Sequence, residues 1–272
     1  MIIDFHTHIF PPHVRDNRED HVRRDPTFAE IYSDPKAKIA TAEDVLATMD
    51  ESGVDVSVAL GFAWQDHEDI VRHNDYLLES AATSSGRIVP FTTITMADRR
   101  AEVEIERCAA SGTRGIGELR PDNQGWDPET EGGARLAAVA ARLGLVLLFH
   151  VTEPGDRSYP GRAGCALETF AGFARQHSNV KIVGAHLGGG LYAALADDAP
   201  PVFVDTAAQP FLYRGEAGRE AFATVPADRL LFGSDFPLIS QARQIGEIES
   251  AISAGDARDR ILGRNARELL GL

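Results

Sequence analysis

Histidine and acidic side chains recur at the carboxyl ends of the apolar segments of this chain. Six residues share that placement: His6, His8, Glu118, His150, His186 and Asp235. Imidazole combined with carboxylate, and without thiolate, suits Zn²⁺, Mn²⁺, Fe²⁺ or Co²⁺ in an open, reactive site rather than a closed structural one. These residue types therefore predict a catalytic metal site, provided that the fold brings them together.

The first two histidines form an HxH pair. Side chains two positions apart on a strand point to the same side, so His6 and His8 can bind one ion together. Single residues carry less weight, because His150 could be a hydrogen-bonded structural residue and Asp235, in GSDFP, could cap a helix or a turn. Independent structural roles would not place all six residues at the same end of successive strands.

Eight short apolar runs, bounded by turn residues, predict the strands that must position these groups. The runs are Ile2–His6, Val54–Leu60, Ile88–Ile94, Thr113–Leu119, Leu145–Val151, Val180–His186, Val202–Thr206 and Leu230–Ser234. Segments between them have helical spacing: Ala42–Glu51, Asp69–Ser84, Arg99–Ala110, Glu131–Arg142 and Leu167–Gln176. Glycines expected at helix C-caps follow four of these segments: Gly53, Gly86, Gly112 and Gly144. Asn265 is a candidate N-cap of a short closing helix.

Strands that are almost unbroken apolar runs, alternating with helices, predict a parallel sheet covered by helices, because parallel strands are buried on both faces. Eight such units predict a (β/α)₈ TIM barrel formed by residues 1–272 as a single domain. A doubly wound sheet is the alternative, but no GxGxxG turn follows the first strand. In a barrel the carboxyl ends of all strands converge on one mouth, where the six candidate ligands would meet.

A long segment, residues 9–41, separates the first strand from its helix. A loop of this length in a compact domain usually has a function, so we expect a lid-like insertion, with surface decoration as the alternative. His13 or His21 could reach a substrate from it. Arg120, directly after the fourth run, is a candidate for binding an anionic group of the substrate or for a surface salt bridge.

Composition excludes several classes of partner. The chain has 27 Lys and Arg against 41 Asp and Glu, a formal net charge of −14, which disfavours nucleic acid and anionic membranes. Its two cysteines suggest neither a disulfide framework nor a thiolate metal site. The first ten residues lack a basic leader and a cleavage site, so we expect a cytoplasmic protein. We further expect a small-molecule substrate and a homo-oligomer, a dimer.

Several segments together resemble the amidohydrolase superfamily, and more closely its amidohydrolase-related branch, amidohydrolase 2. They are DFHTHIFPP at the start, MDESGVDVSVALG at 49–61, VGAHLGGG at 183–190, LLFGSDFP at 230–237 and NARELLGL at the end. These motifs span nearly the whole chain. HxH alone is a weak signal, whereas HxH followed in order by two further histidines and SDxP is a specific one.

The resemblance implies a ligand set and roles for its members. A metal would be held by His6, His8, His150 and Asp235, with His186 as a second-metal ligand or as a base beside the metal-bound water. Asp235 would double as a proton shuttle. Glu118, in GIGEL, is similar to the strand-four glutamate of TatD-type hydrolases, where this carboxylate bridges two metals, so one or two ions are expected, with zinc first and manganese or iron as alternatives.

The expected activity is hydrolysis of an amide, ester or lactone. A metal lowers the pKa of bound water to about 7, Asp235 would accept the proton of that water, and His186 would stabilise the oxyanion or act as a second base. A non-oxidative decarboxylase with the same ligands is the alternative within enzymes. Three further alternatives are a non-catalytic metal-binding barrel, a nuclease, which the negative charge disfavours, and a PHP-type phosphoesterase.

Overall fold

Eight parallel strands form the centre of the molecule in the computed structural model, which describes residues 1–152, 159–213 and 216–272. Each strand pairs with the next in chain order. Their bounds are β1 Ile3–His8, β2 Val56–Leu60, β3 Ile88–Thr92, β4 Gly115–Leu119, β5 Val146–Phe149, β6 Lys181–Gly184, β7 Phe203–Asp205 and β8 Leu230–Leu231. All eight predicted strands are present, although most are shorter than the apolar runs that predicted them.

Hydrogen bonds between β1 and the segment after β8 close the sheet into a barrel. The amide of Phe5 donates to the carbonyl of Phe232 at 2.7 Å, and the amide of Asp235 donates to the carbonyl of His6 at 2.9 Å. Thr7 and Phe236 form a further parallel bridge. The expected (β/α)₈ TIM barrel is therefore confirmed.

Helices alternate with these strands around the outside. Their bounds are α1 Pro12–Asp16, α2 Arg18–Arg24, α3 Pro26–Tyr32, α4 Ala42–Ser52, α5 His67–Thr83, α6 Ala101–Ala110, α7 Pro121–Gln124, α8 Glu131–Leu143, α9 Leu167–Gln176, α10 Ala185–Gly188, α11 Leu191–Leu195, α12 Gln209–Leu212, α13 Glu216–Ala223, α14 Gln241–Ala251, α15 Asp256–Asp259 and α16 Asn265–Leu270. The five predicted helices correspond to α4, α5, α6, α8 and α9. Gly53 and Gly144 end α4 and α8 in the left-handed conformation, as expected for C-caps.

Side chains on successive strand positions alternate between two apolar layers. Val56, Val58 and Leu60 of β2 belong to a cluster inside the barrel, whereas Ala59 belongs to the larger cluster between the strands and the helices. This alternation follows from the period of two along a strand. Leu269 and Leu270 of α16 join the interior cluster, and the carbonyl of Leu269 accepts a hydrogen bond from Lys181, the first residue of β6, so the last helix packs at the amino-terminal end of the barrel.

Asn265 does not cap that last helix. The helix continues from a π-helical turn over Arg260–Arg264, so its first amides are already within helical structure. The Asn265 side-chain amide instead donates to the carbonyls of Ala227 and Leu230, both at 2.8 Å. It therefore fixes the chain around β8 rather than a helix end.

The insertion of residues 9–41 folds into the three short helices α1, α2 and α3. Its apolar side chains form a third cluster with residues of the loop after β2 and of α5: Phe10, Val14, Phe28, Tyr32, Ile39, Phe62, Trp64 and Ile70. His21 is buried against this cluster, with its ring 5.7 Å from that of Phe28 and 5.6 Å from that of Trp64. The insertion is thus packed structure, and its function as a lid stays a prediction.

Two features of the sequence can be checked directly against the fold. Among the described residues, no helix combines the length and apolarity that crossing a bilayer requires. Cys108 and Cys165 are both buried and free.

Candidate metal centre

The six predicted ligands come together at the mouth of the barrel. His6 and His8 lie on β1 and Glu118 on β4, while the others lie one to four positions after a strand: His150 after β5, His186 after β6 and Asp235 after β8. The imidazole Nε2 of His6 lies 3.7 Å from Oδ1 of Asp235, although the two residues are 229 positions apart in the chain. The strand ends therefore bring the predicted residues to one place.

One group of ligand atoms consists of His6, His8 and Asp235. The two imidazole Nε2 atoms are 3.1 Å apart, and Oδ1 of Asp235 is 3.5 Å from Nε2 of His8. Atoms bound to one ion at about 2.1 Å, with angles near 90–110° between them, lie roughly 3.0–3.4 Å apart. The observed spacings fit a common ion after shifts of a few tenths of an ångström.

A second group consists of His6, Glu118 and His186. Oε1 of Glu118 lies 3.8 Å from Nε2 of His6 and 3.3 Å from Nε2 of His186. The same oxygen is 2.8 Å from Nδ1 of His150. Glu118 therefore lies among the imidazoles, and its second oxygen is 3.4 Å from Nε2 of His8.

Asp205, at the end of β7, orients two of the histidines. Its Oδ2 is 2.9 Å from Nδ1 of His6, and its Oδ1 accepts hydrogen bonds from the backbone amides of His186, at 2.9 Å, and Ala207, at 3.0 Å. A carboxylate on Nδ1 places the imidazole proton there and leaves the Nε2 lone pair facing the ligand cluster. The carbonyl of Ala207, 3.2 Å from Nδ1 of His186, acts on that ring in the same way.

The local field at the cluster favours positive charge. Burial lowers the pKa of His6, but the carboxylates of Asp205, Glu118 and Asp235 outweigh it and raise the pKa to about 9. Burial raises the pKa of Glu118, yet the neighbouring His150 and His6 hold it well below its usual range. The carboxylates that favour a proton on His6 also favour a metal ion at its Nε2, because the proton and the ion would occupy the same position.

The chain conformation around two ligands is unusual. Asp235 has φ of +62° and His186 has φ of +58°, in the left-handed region that L residues seldom occupy. A Cβ on Gly233 would come within 2.9 Å of Cβ of His6, so the GSDFP segment needs glycine to pass this close to β1. Asp4 fixes the same segment by accepting bonds from the amide of Ser234, at 2.9 Å, and from its hydroxyl, at 2.6 Å.

The donor set and its environment therefore fit a divalent metal ion. Imidazole nitrogens and carboxylate oxygens converge, and Nε2 of His6, Nε2 of His8 and Oδ1 of Asp235 lie within 3.7 Å of one another. Without a cation, lone pairs and carboxylates would face each other in a site shielded from water. Metal binding, predicted from the sequence, agrees with this arrangement.

A cavity of about 400 Å³ opens onto the cluster. Five of the six predicted ligands line it, all except the fully buried His6. Its other lining is mainly apolar and aromatic: Ile31, Tyr32, Phe62, Tyr159, Phe211 and Leu238. Neither His13 nor His21 is part of this lining, so the structure does not bring these two histidines to the site.

Arg120 lines the cavity but already has partners. It is 3% exposed, and its guanidinium lies 3.1 Å from Oε2 of Glu30 in α3 and 3.0 Å from Oδ2 of Asp122. The salt bridge that was the alternative to substrate binding is present, but its guanidinium is buried rather than at the surface. Nε of Arg120 has no partner among the described residues, and a contact with substrate stays a prediction.

Two residues of the site were missed by the sequence reasoning. Asp205 could have been found, because in VFVDT it is an acidic residue at the end of an apolar run, as the predicted metal ligands are. Tyr32, which is buried and lines the cavity, could not have been found from the sequence, because its position depends on how the insertion folds.

Solved structures with the same fold cover the whole chain. A 2,6-dihydroxybenzoate decarboxylase from Rhizobium has a TM-score of 0.75 at 18% identity, covering 99% of this chain and 98% of that one. A 5-carboxyvanillate decarboxylase from Sphingomonas paucimobilis has a TM-score of 0.73 at 19% identity, covering 100% and 99%. A dihydroxybenzoic acid decarboxylase from Polaromonas, with bound manganese and an inhibitor, has a TM-score of 0.72 at 18% identity, covering 100% and 97%. No curated protein matches the chain.

These similarities correct the expected activity. These three similar structures are decarboxylases, so hydrolysis of an amide, ester or lactone is wrong as the leading interpretation. Zinc and a TatD-like role of Glu118 are not confirmed either. The family itself is as expected, because the amidohydrolase model matches residues 3–272, and the chain belongs to the amidohydrolase family, in its amidohydrolase 2 branch.

Proposed function

We propose that this chain is a metal-dependent, non-oxidative decarboxylase of a small aromatic carboxylic acid. The observation that carries the proposal is the cavity, in which a cluster of metal-ligand side chains adjoins apolar and aromatic walls. Such walls suit a planar ring, whereas the cluster suits the oxygen atoms of a carboxylate. The similar solved decarboxylases act on substituted benzoates, which supports the same substrate class here.

We infer a single divalent ion. A neutral imidazole Nε2 has one lone pair and cannot bridge two ions, yet His6 belongs to both groups of ligand atoms. His6, His8 and Asp235 would hold the ion, with Glu118 and His186 beside it. When bound, the ion would supply a Lewis acid that stabilises negative charge on the substrate oxygens. Manganese, bound in the Polaromonas structure, is the first ion to test, and zinc is the second.

Decarboxylation needs a proton at the ring carbon that carries the carboxylate. Asp235 lines the cavity and its Oδ1 faces His6 and His8, which leaves the second carboxylate oxygen to hold a proton. We assign Asp235 as this donor. The proton adds to the ring carbon, the bond from that carbon to the carboxylate breaks, its electron pair returns to the ring, and CO₂ leaves. Asp235 is then reprotonated from solvent.

The apolar side chains have a second function in this proposal. Phe62, Ile31 and Leu238 limit water near the ring, so the proton comes from a defined donor and the charged intermediate is shielded. Hydrolysis would instead require water as a reactant. This contrast allows one set of assays to separate the two activities.

The test is incubation of manganese-loaded or zinc-loaded protein with a panel of hydroxybenzoates in D₂O. We expect CO₂ release and deuterium at the vacated ring position, detected by NMR, with no turnover by the metal-free protein. Asp235→Asn should lower kcat by roughly 100-fold or more, the usual range for loss of a proton donor. Asp98→Asn is the matched control, because Asp98 pairs with His67 and Arg100 outside the cavity.

Two results would contradict the proposal. One is cleavage of amide, ester or lactone substrates by metal-loaded protein that leaves every aromatic acid unchanged. The other is an Asp235→Asn variant that releases CO₂ at the wild-type rate.

A further inference from the structure

Tyr32 brings a phenol hydroxyl from the insertion to the metal cluster's cavity. It is the last residue of α3, is 7% exposed, and lines the same cavity as His8, Glu118 and Asp235. Tyr32 has no role in the proposed reaction as described above. Lys36 and Lys38 of the insertion also line this cavity, but both are exposed, whereas Tyr32 is buried.

The ring of Tyr32 is held on several sides by aromatic contacts. Its centroid lies 4.5 Å from that of Phe28, 5.4 Å from that of Phe10 and 5.9 Å from that of Phe62. Packing of this density fixes the ring and therefore the direction of its hydroxyl. The orientation is set before any ligand enters.

The hydroxyl makes no hydrogen bond with the described residues, and it is not among their fully buried unpaired atoms, so it is accessible from the cavity that Tyr32 lines. An accessible tyrosine hydroxyl readily forms hydrogen bonds, so it can pair with a ligand that enters the cavity. In a cavity built for a ligand, the ligand supplies the hydrogen-bond partner.

The hydroxyl of Tyr32 keeps its proton and can therefore donate a hydrogen bond. Burial raises the pKa of Tyr32 above its usual value, and the carboxylates of Asp235 and Glu118 raise it further, against a smaller lowering by Arg18. The phenol therefore remains protonated at neutral pH. A protonated phenol forms its strongest hydrogen bond when the acceptor is an anionic oxygen.

Glu30, two residues earlier in α3, fastens this segment to the barrel. Its carboxylate accepts hydrogen bonds from the guanidinium of Arg120, from the side chain of Asn123 at 2.9 Å and from the backbone amide of Gly161 at 3.0 Å. These partners lie in the loops after β4 and β5. Tyr32 is thus positioned by an ion pair as well as by aromatic packing.

We propose that Tyr32 is a substrate-binding residue whose hydroxyl donates a hydrogen bond to an anionic oxygen of the aromatic acid. This inference rests on the proposed function for the class of substrate. It makes the insertion a part of the active site and gives Arg120 a positioning role through Glu30.

The experiment uses full-length, manganese-loaded protein and measures binding by calorimetry. The probes are benzoate, 2-hydroxybenzoate, 2,6-dihydroxybenzoate and, as a neutral match, benzamide. Tyr32→Phe removes one oxygen and keeps the ring packing, so we expect Kd for the anions to rise about 10-fold to 100-fold. Binding of benzamide should change much less. Tyr192→Phe is the matched control, because that hydroxyl donates to the carbonyl of Val202 away from the cavity.

Metal content and melting temperature are measured for both variants. Unchanged metal content in Tyr32→Phe, with weaker binding of the anions alone, supports the proposal even if no aromatic acid is decarboxylated. Equal Kd values in Tyr32→Phe and wild type overturn it even if decarboxylation is observed. The proposal is also overturned if the wild type binds none of the anions. It is likewise overturned if Tyr32→Phe weakens the binding of benzamide and of benzoate equally.

Discussion

Asp205 and His6 form a buried pair in which Oδ2 of the carboxylate lies 2.9 Å from Nδ1 of the imidazole, with both side chains fully shielded from solvent. The pair fixes which nitrogen of His6 faces the cluster. Because the other oxygen of Asp205 accepts from the backbone of His186, one carboxylate positions ligands from β1 and from the segment after β6. A residue that touches no substrate thus controls the geometry of the metal site.

Asp205→Asn should weaken metal binding by about 10-fold to 100-fold, because the amide no longer fixes the proton on Nδ1 of His6. Competition against a chelator of known affinity measures this change. Asp98→Asn, outside the cavity, is the control and should bind the metal as wild type does. An unchanged affinity in Asp205→Asn would show that His6 orients itself without this pair.

His6→Ala should remove most of the metal from protein prepared without chelator. Wild type should contain about one equivalent, because His6 is common to both groups of ligand atoms. Elemental analysis gives the number directly. His67→Ala serves as the control, since His67 lies in a half-buried pair with Asp98 away from the cluster. Full metal content in His6→Ala would remove His6 from the ligand set.

Glu118→Gln distinguishes a single-ion site from a two-ion site. With one ion, wild type and variant should both bind about one equivalent, and the variant should bind it more weakly because a charged ligand or neighbour is lost. With two ions bridged by Glu118, wild type should bind two and the variant one. Metal titration of both proteins side by side gives the answer.

Arg120→Met should destabilise the fold by about 2 kcal/mol, because Glu30 and Asp122 would remain partly buried without their cation. This figure is below that for a fully buried pair, since both carboxylates are partly exposed to solvent. Urea unfolding measures the difference in the free energy of unfolding. Arg142→Met, which breaks the exposed pair with Glu106, should cost well under 1 kcal/mol. Equal losses in the two variants would contradict a structural role for Arg120.

His73 should make the protein less stable in mild acid. Burial lowers the pKa of His73 to about 4, and its Nδ1 accepts a hydrogen bond from the indole of Trp64 at 2.9 Å. Between pH 6.5 and 4 the unfolded chain binds a proton that the folded chain excludes, so the free energy of unfolding falls as pH is lowered through this window. The loss by pH 4 is on the order of 3 kcal/mol.

Replacement of His73 by Gln removes this titration. The variant should be less stable than wild type at pH 7 but should lose less stability between pH 6.5 and 4, as measured by urea unfolding at each pH. His67→Gln, at a half-buried site, should retain the wild-type slope. Parallel curves for wild type and His73→Gln would contradict the assignment.

The parts of the site that the sequence predicted are those that depend on local pattern. Each strand was recognisable because a buried parallel strand is a continuous apolar run, and His150 and His186 were recognisable because each ends one. The predicted eighth strand, Leu230–Ser234, shortens to Leu230–Leu231 because the chain turns there to bring Asp235 towards β1.

The parts that the sequence could not predict depend on residues far apart in the chain. Glu30 and Arg120 are 90 positions apart, and nothing near either residue indicates the other. Asn265 was expected to cap a helix because local preference favours that role, but tertiary hydrogen bonds to Ala227 and Leu230 prevail. The reaction could not be read from the ligands, because hydrolases and decarboxylases of this branch share them.

The closure of the barrel by hydrogen bonds between β1 and the residues around Asp235 also has a consequence for biosynthesis. During synthesis on the ribosome His6 and His8 are made first, and the carboxylate that completes their group, that of Asp235, follows His8 by 227 positions. The nascent chain can therefore form only an incomplete site that binds a metal ion weakly. Tight metal binding requires that the barrel has closed. Metal binding should thus be among the last events of folding, so a chain that holds the metal ion tightly has a closed barrel.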